Sequence, residues 1–440
     1  MRSRQTRPRL LQAMLDAFRL PDLRRRILFT FGMLVIFRII AHVPLPGVDA
    51  VKLGEIFSQN ALLGMMDMFS GGAMRNFSVA AMGVYPYITA TIIMTLMTPV
   101  IPRLQALSQE GESGRNKINR ISHWLVVPLA AIAGYGQLVM LQRQGVVASS
   151  DALATAAMVV SMIAGTLFLV WIGELITEYG IGNGISILIF GGIVAGYWQM
   201  TGEGLLAGQQ GQVFGIVVYV AIALVTILLI VIFTEAHRRI PVQYARTTFR
   251  GGRMYRQSGG THIPLRVNSA GMIPLIFAMS LVLFPGMIAS YFANPSSMDP
   301  NLANHIQNIF NPSAPMPLAL VYWGIYFLLV VAFAFFYTMV IFQQQDLPGT
   351  LQRQGGFIPG IRPGKNTSSY LNHVITRITT VGAFFLAFVA IIPFLAREVS
   401  DVQVIQLSSM GLLIVVGVVL DTMKQMEAQL TMRRYEGFIK

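Results

Sequence analysis

Apolar residues gather along this chain into ten long runs, at 27–43, 77–99, 122–141, 154–174, 184–199, 213–234, 269–290, 317–342, 376–396 and 404–423. Each approaches the roughly 20 residues that an α-helix needs to cross a bilayer. The pattern predicts an all-α membrane protein with ten transmembrane helices. An eleventh apolar stretch, 61–70, is too short to span; Gly71-Gly72 closes it and the polar Arg75-Asn76 follows. It reads either as a half-helix re-entering from the outer side or as an amphipathic helix lying on the outer surface. A re-entrant half-helix must line a cavity, because unpaired backbone is not tolerated against lipid.

The runs contain an internal repeat. Gly83-Val84-Tyr85-Pro86-Tyr87-Ile88 in the second span matches Gly271-Met272-Ile273-Pro274-Leu275-Ile276 in the seventh, with Gly, Pro and Ile at the same offsets. The two spans hold the second place in the first five and in the last five. An odd number of spans per half turns the halves opposite ways, and an inverted repeat puts a transport route at their interface. Pro86 and Pro274 are expected to remove a helix hydrogen bond and free a carbonyl, while the glycines let backbones approach closely.

Charge sets the orientation. Segments 1–26, 103–121, 235–268, 343–377 and 424–440 hold 27 of the 32 Lys and Arg, so these segments and both termini belong on the cytoplasmic side. The net charge of +13 is therefore an inner-face charge and implies no nucleic-acid partner. Residues 1–26 read as a basic amphipathic segment at the inner interface, with Leu10, Leu11, Met14, Leu15 and Phe18 on one face. The chain then divides into a first half at 27–199, an outer linker at 200–212, a second half at 213–425 and a tail at 426–440. Two inner loops, 235–268 and 343–376, are long. Arg250, Arg253, Arg256, Arg362 and Lys365 among their glycines and prolines suit docking to a large acidic partner.

Candidate chemistry narrows the reading further. There is no cysteine, hence no disulfide, thiolate nucleophile or cysteine metal site. The six histidines do not form a His-Glu-x-x-His helix, and no Gly-x-Ser-x-Gly elbow occurs. Gly360-Ile361-Arg362-Pro363-Gly364-Lys365-Asn366 departs from a phosphate loop at Pro359 and Asn366. No catalytic residue, metal or cofactor is expected. Glu174, Glu235 and Asp421 lie at span ends and Arg38 is alone in span one, so a pathway would be lined by aliphatic groups, which block ions by dewetting. Such a lining suits a large, varied, unfolded substrate.

Across nearly its whole length the chain resembles the SecY family of protein-conducting channels, bacterial type. The resemblance rests on Pro44-Leu45-Pro46-Gly47, Met68-Phe69-Ser70-Gly71-Gly72-Ala73, Pro86-Tyr87-Ile88 and Glu110-Gly111-Glu112-Ser113-Gly114-Arg115. It extends through Gly180-Ile181-Gly182-Asn183-Gly184-Ile185-Ser186, Arg239-Ile240-Pro241-Val242 and Phe357-Ile358-Pro359-Gly360-Ile361-Arg362-Pro363-Gly364. It implies an hourglass of two five-span halves that passes unfolded polypeptides across, or sideways into, a bacterial cytoplasmic membrane.

Its waist would be Val84, Ile88, Ile185, Ile189, Ile276 and Ile414, with valine at 84 where relatives commonly carry isoleucine. The plug would be 61–73, with Leu62, Leu63, Met65, Met66, Met68, Phe69, Gly71 and Gly72. The lateral gate would lie between spans two and seven, with Thr89, Ile92, Asn268 and Phe284. Implied partners are SecE-like and SecG-like small membrane subunits, the SecA motor ATPase, the ribosome with its RNA, signal sequences and membrane lipid. Two other classes use related features: a small-solute secondary transporter, through inverted repeats and broken helices, and an intramembrane enzyme, which needs paired polar groups at mid-depth.

Overall fold

The computed structural model describes residues 20–49, 52–54, 57, 63–64, 67, 70–147, 151–209, 213–250, 253–293, 301–311, 314–345, 347–400 and 406–436. The expected interfacial segment up to residue 19, and Leu62, Met65, Met66, Met68 and Phe69 of the expected plug, lie outside them.

In chain order the first half carries α1 (Pro21–Ile40), α2 (Tyr85–Met97), α3 (Pro102–Gln109), α4 (Glu112–Arg143), α5 (Ala152–Tyr179) and α6 (Gly184–Gln209). The second carries α7 (Val213–Glu235), β1 (His237–Arg250), β2 (Arg253–Arg266), α8 (Ile273–Phe292) and α9 (Leu302–Ile309). It continues with α10 (Leu318–Gln345), α11 (Leu347–Arg353), β3 (Gly356–Phe357), α12 (Lys365–Ser400) and α13 (Gln406–Glu436). Helix overlies each of the ten apolar runs. Among the described residues, α4, α5, α8, α10 and α12 are long and apolar enough to cross a bilayer; α2 and α3, bent by 97° at their junction, pass the same measure as a pair.

The outer faces fit lipid. Val217, Leu224, Leu228 and Ile232, on one side of α7, are 58–62% exposed, a stripe that water would not tolerate and acyl chains do. In α8, by contrast, 72% of the most apolar stretch is buried, against 28–50% in α4, α5, α10 and α12. This helix is the centre of the packing.

Three boundaries differ from the sequence expectation. The second apolar run begins at 77 but its helix begins at Tyr85, because residues 71–84 are spent on turns. The segment 200–212 expected as an outer linker is mostly helix, since α6 continues to Gln209. Most of the tail 426–440 is likewise the end of α13.

The fold is also not purely helical. Loop 235–268 is an antiparallel hairpin with His237 opposite Arg266 at its base and Arg250 opposite Arg253 at its far end. Ile240, Val242 and Tyr244 alternate on β1, as Ile263 and Leu265 do on β2, the period of a half-buried strand. Their inward faces pack with Leu351, Ile358, Leu371 and Val374, and β3 pairs with β1 through Gln243 and Phe357. The two long loops, 235–268 and 343–376, therefore form one small domain.

Candidate pore and gate

The repeated hexapeptides adopt the same backbone. Gly83 and Gly271 have φ of 56° and 66°, a left-handed conformation that a β-carbon disfavours. Val84 (φ −93°, ψ 5°) and Met272 (φ −95°, ψ −3°) then cap α2 and α8. Pro86 and Pro274 fall in the first helical positions, where the missing N–H would have had no intrahelical partner. The prolines thus start these helices instead of interrupting them, contrary to the expectation that each breaks a hydrogen bond. In both, the isoleucine four residues past the cap donates to the cap carbonyl, Ile88 to Val84 at 3.0 Å and Ile276 to Met272 at 3.4 Å.

Both helix starts share one large hydrophobic cluster with residues of α6 and α13. Val84, Ile88, Ile189, Ile276 and Ile414 are 2–7% exposed within a single hydrophobic cluster, and Ile185 packs on it half-buried. Ile92 belongs to the same cluster. So does Met272, the repeat partner of Val84, which sequence reasoning missed although the shared offset pointed to it. A β-carbon at Gly417 would run into the Met272 side chain, so α13 can sit against the start of α8 only with glycine there.

The described residues of 61–73 pack against α1 and within a second hydrophobic cluster. Leu63, Gly64, Asp67 and Ser70 are helical. Leu63 is fully buried in a second cluster with Phe77, Met82 and Tyr85. Gly71 lies against Phe37 of α1, and its carbonyl accepts from Arg38 Nη1 at 2.6 Å. The charge that looked isolated in span one therefore holds the end of the short segment. Asp67 closes the turn by accepting from the Arg75 N–H at 2.9 Å, with the Arg75 guanidinium 3.8 Å away. Burial pushes the Asp67 carboxyl up from its ordinary value, and these Arg75 contacts, with Ser70, pull it back.

Across the seam between α2 and α8, Tyr85 Oη donates to Ser280 O at 3.2 Å. Thr89, one turn on from Tyr85, is half-buried and donates to the Tyr85 carbonyl at 3.1 Å. Phe284, one turn on from Ser280, is half-buried against the second cluster. Asn268 is half-buried between β2 and α8. Further along, Tyr291 of α8 donates to Ala133 O of α4 at 3.2 Å, and Arg143 Nη1 of α4 donates to Tyr291 O at 3.1 Å.

The fold has solved counterparts. A structure of the SecY protein, described as showing that its plug domain stabilises the closed translocation channel and maintains a membrane seal, matches with TM-score 0.66 at 17% identity over 94% of this chain and 96% of that one. Sec61 in a canine ribosome-channel complex from the endoplasmic reticulum matches with TM-score 0.63 at 14% identity, over 94% and 96%. A family model described as SecY covers residues 78–423. The chain belongs to the SecY family. It is 42% identical to the protein translocase subunit SecY of Streptomyces scabiei, over 98% of this chain and all of that one.

As a SecY-family chain it is the pore-forming subunit of a protein translocase and a multi-pass membrane protein. Within the small loop domain of this SecY-family fold, the sequence-predicted docking residues do not form one patch. Arg362 is exposed just beyond β3, its carbonyl accepting from Thr367 at 3.0 Å. Arg250 and Arg253 face each other seven residues along the strand from the Gln243–Phe357 pair, which at about 3.3 Å per residue is roughly 23 Å away. Arg256 stands opposite Thr247, nearer the middle.

Arg38 and Asp67 were the functional candidates missed in the sequence. The available signal was a charge inside a span, which marks a functional contact by default. Replacing Arg38 with methionine keeps the stem and removes the donor to Gly71. Resting ion leak in planar bilayers should rise by about tenfold, the scale of one charged hydrogen bond, with normal yield of the complex. Unchanged leak would mean that packing alone holds the segment.

Proposed function

We propose that the junction of Val84, Ile88, Ile185, Ile189, Ile276 and Ile414 is the waist of a channel for unfolded polypeptides, closed from outside by the segment 61–73. The reading counts all ten helical runs as spans in two inverted halves, with both termini on the cytoplasmic side of a bacterial inner membrane. The observation that carries it is the burial of aliphatic side chains from α2, α6, α8 and α13 in one hydrophobic cluster, together with the Arg38 hydrogen bond that ties Gly71 to α1. An apolar ring seals against ions by dewetting and discriminates little among passing side chains. The seam of α2 and α8, with Thr89, Ile92, Asn268 and Phe284, is the lateral gate through which membrane segments leave for lipid. A photo-crosslinker at Ile88 or Ile276 should trap a stalled secretory chain, while one at lipid-facing Val381 should not. Equal trapping at all three positions would sink the assignment of the waist.

The inner domain is the docking platform for a motor ATPase of the SecA type and for the ribosome, the latter supported by the ribosome-bound Sec61 neighbour. SecE-like and SecG-like small subunits complete the assembly. Because Arg362 is exposed and remote from the pore cluster, Arg362→Glu should act on partner encounter and spare assembly. Motor-driven translocation in vesicles should fall at least about tenfold, as when a charge meets its like across an interface. Translocation at the normal rate would remove Arg362 from the platform.

A further inference from the structure

A small cavity lies in the outer half of the seam, lined by Met82 just before the first repeat, Tyr85 within it, Gln137 of α4, and Met287 and Tyr291 of α8. Gln137 is 3% exposed, and its Nε2 has no hydrogen-bond partner among the described residues. Leaving an amide N–H unpaired in a buried site costs on the order of 1–3 kcal/mol, so its presence needs an account. The two tyrosines supply the complementary half. Each has spent its one donor, Tyr85 on Ser280 O and Tyr291 on Ala133 O, which leaves both hydroxyl oxygens with lone pairs only.

We propose that this cavity binds one structural water, which accepts from Gln137 Nε2 and donates to the hydroxyl oxygens of Tyr85 and Tyr291. The volume open to the centre of a water molecule is about 10 Å³, the room that a single water needs. Three hydrogen bonds is the usual complement of a buried water, and cavities that stay dry are apolar throughout. The water joins α2, α4 and α8. On the reading that α2 and α8 part at a lateral gate, it is a bridge across the closed seam; the site itself does not depend on that reading.

Brief X-ray radiolysis of the assembled complex in membranes turns a bound water into hydroxyl radical where it sits, and mass spectrometry then reads oxidation of neighbouring Met and Tyr. Met82 and Met287 are 7% and 3% exposed and Met162 is 0% exposed, so all three are largely shielded from bulk solvent. Met82 and Met287 should be oxidised and Met162 should not. In Gln137→Leu, which keeps the length and removes the amide, oxidation at both should fall about tenfold, as expected when the water loses a hydrogen bond of ordinary net strength. Tyr291→Phe should lower it too. Absence of oxidation at Met82 and Met287 in the wild type would overturn the site, a result that stands even if neither variant assembles. Equal oxidation in Gln137→Leu would overturn the role of Gln137. Translocation is not measured, so failure of the gate reading and failure of the water site remain distinguishable.

Discussion

Replacing both Ile276 and Ile414 with asparagine should turn a resting channel that holds back ions into one that conducts them steadily. Both side chains are almost fully buried in the cluster that joins α2, α6, α8 and α13. A ring of aliphatic groups excludes water because wetting it gains no hydrogen bonds. Two amides reverse that balance: each costs about 1–3 kcal/mol if it stays dry and unpaired, and admitting water removes the cost. Wetting should then be favoured by a few kcal/mol, a change of about a hundredfold or more in the conducting population. Single-channel recording in planar bilayers is the measurement, with Ile276→Val as a control that trims a methyl group and adds no polarity. Demands on the signal sequence should relax in parallel. If the double variant conducts no more than Ile276→Val, the seal lies elsewhere.

The parts legible in sequence were those with a local signature. Ten apolar runs gave ten helices in place, and the shared offsets of Gly83/Gly271 and Pro86/Pro274 reappear as matching left-handed glycines and matching helix caps. Their meaning was misread. A proline three residues after a positive-φ glycine and two after a cap starts a helix, and treating both as mid-helix breaks assumed that helix filled the whole apolar run. The hairpin was missed because glycines, prolines and arginines drew attention away from the alternation of Ile240, Val242 and Tyr244. What sequence could not show was pairing over distance. The partner of Arg38 is a backbone carbonyl 33 positions away, and that of Tyr85 is one 195 positions away; a carbonyl leaves no residue-type trace.

The second large effect is expected at the seam. The chain has no cysteine, so Thr89→Cys and Phe284→Cys would introduce the only two thiols. Each position lies one helical turn from a residue of the Tyr85–Ser280 hydrogen bond that fixes the register of α2 on α8. Both are half-buried, accessible enough to react yet close to the packed seam. A rigid bis-thiol reagent that matches their closed-state separation should lock α2 to α8 and abolish translocation. A long flexible reagent on the same thiols should allow it, because it tethers the helices without holding the slot shut. The comparison isolates helix separation from chemical modification, since both reagents alkylate the same atoms. Ile276 stays in its place in either case, so the waist is not altered directly. Loss of transport with the short link alone is the signature of a seam that must open. If chains cross at the normal rate with the short link complete, the seam does not part during transport, and the polypeptide passes through a pore that widens by other means.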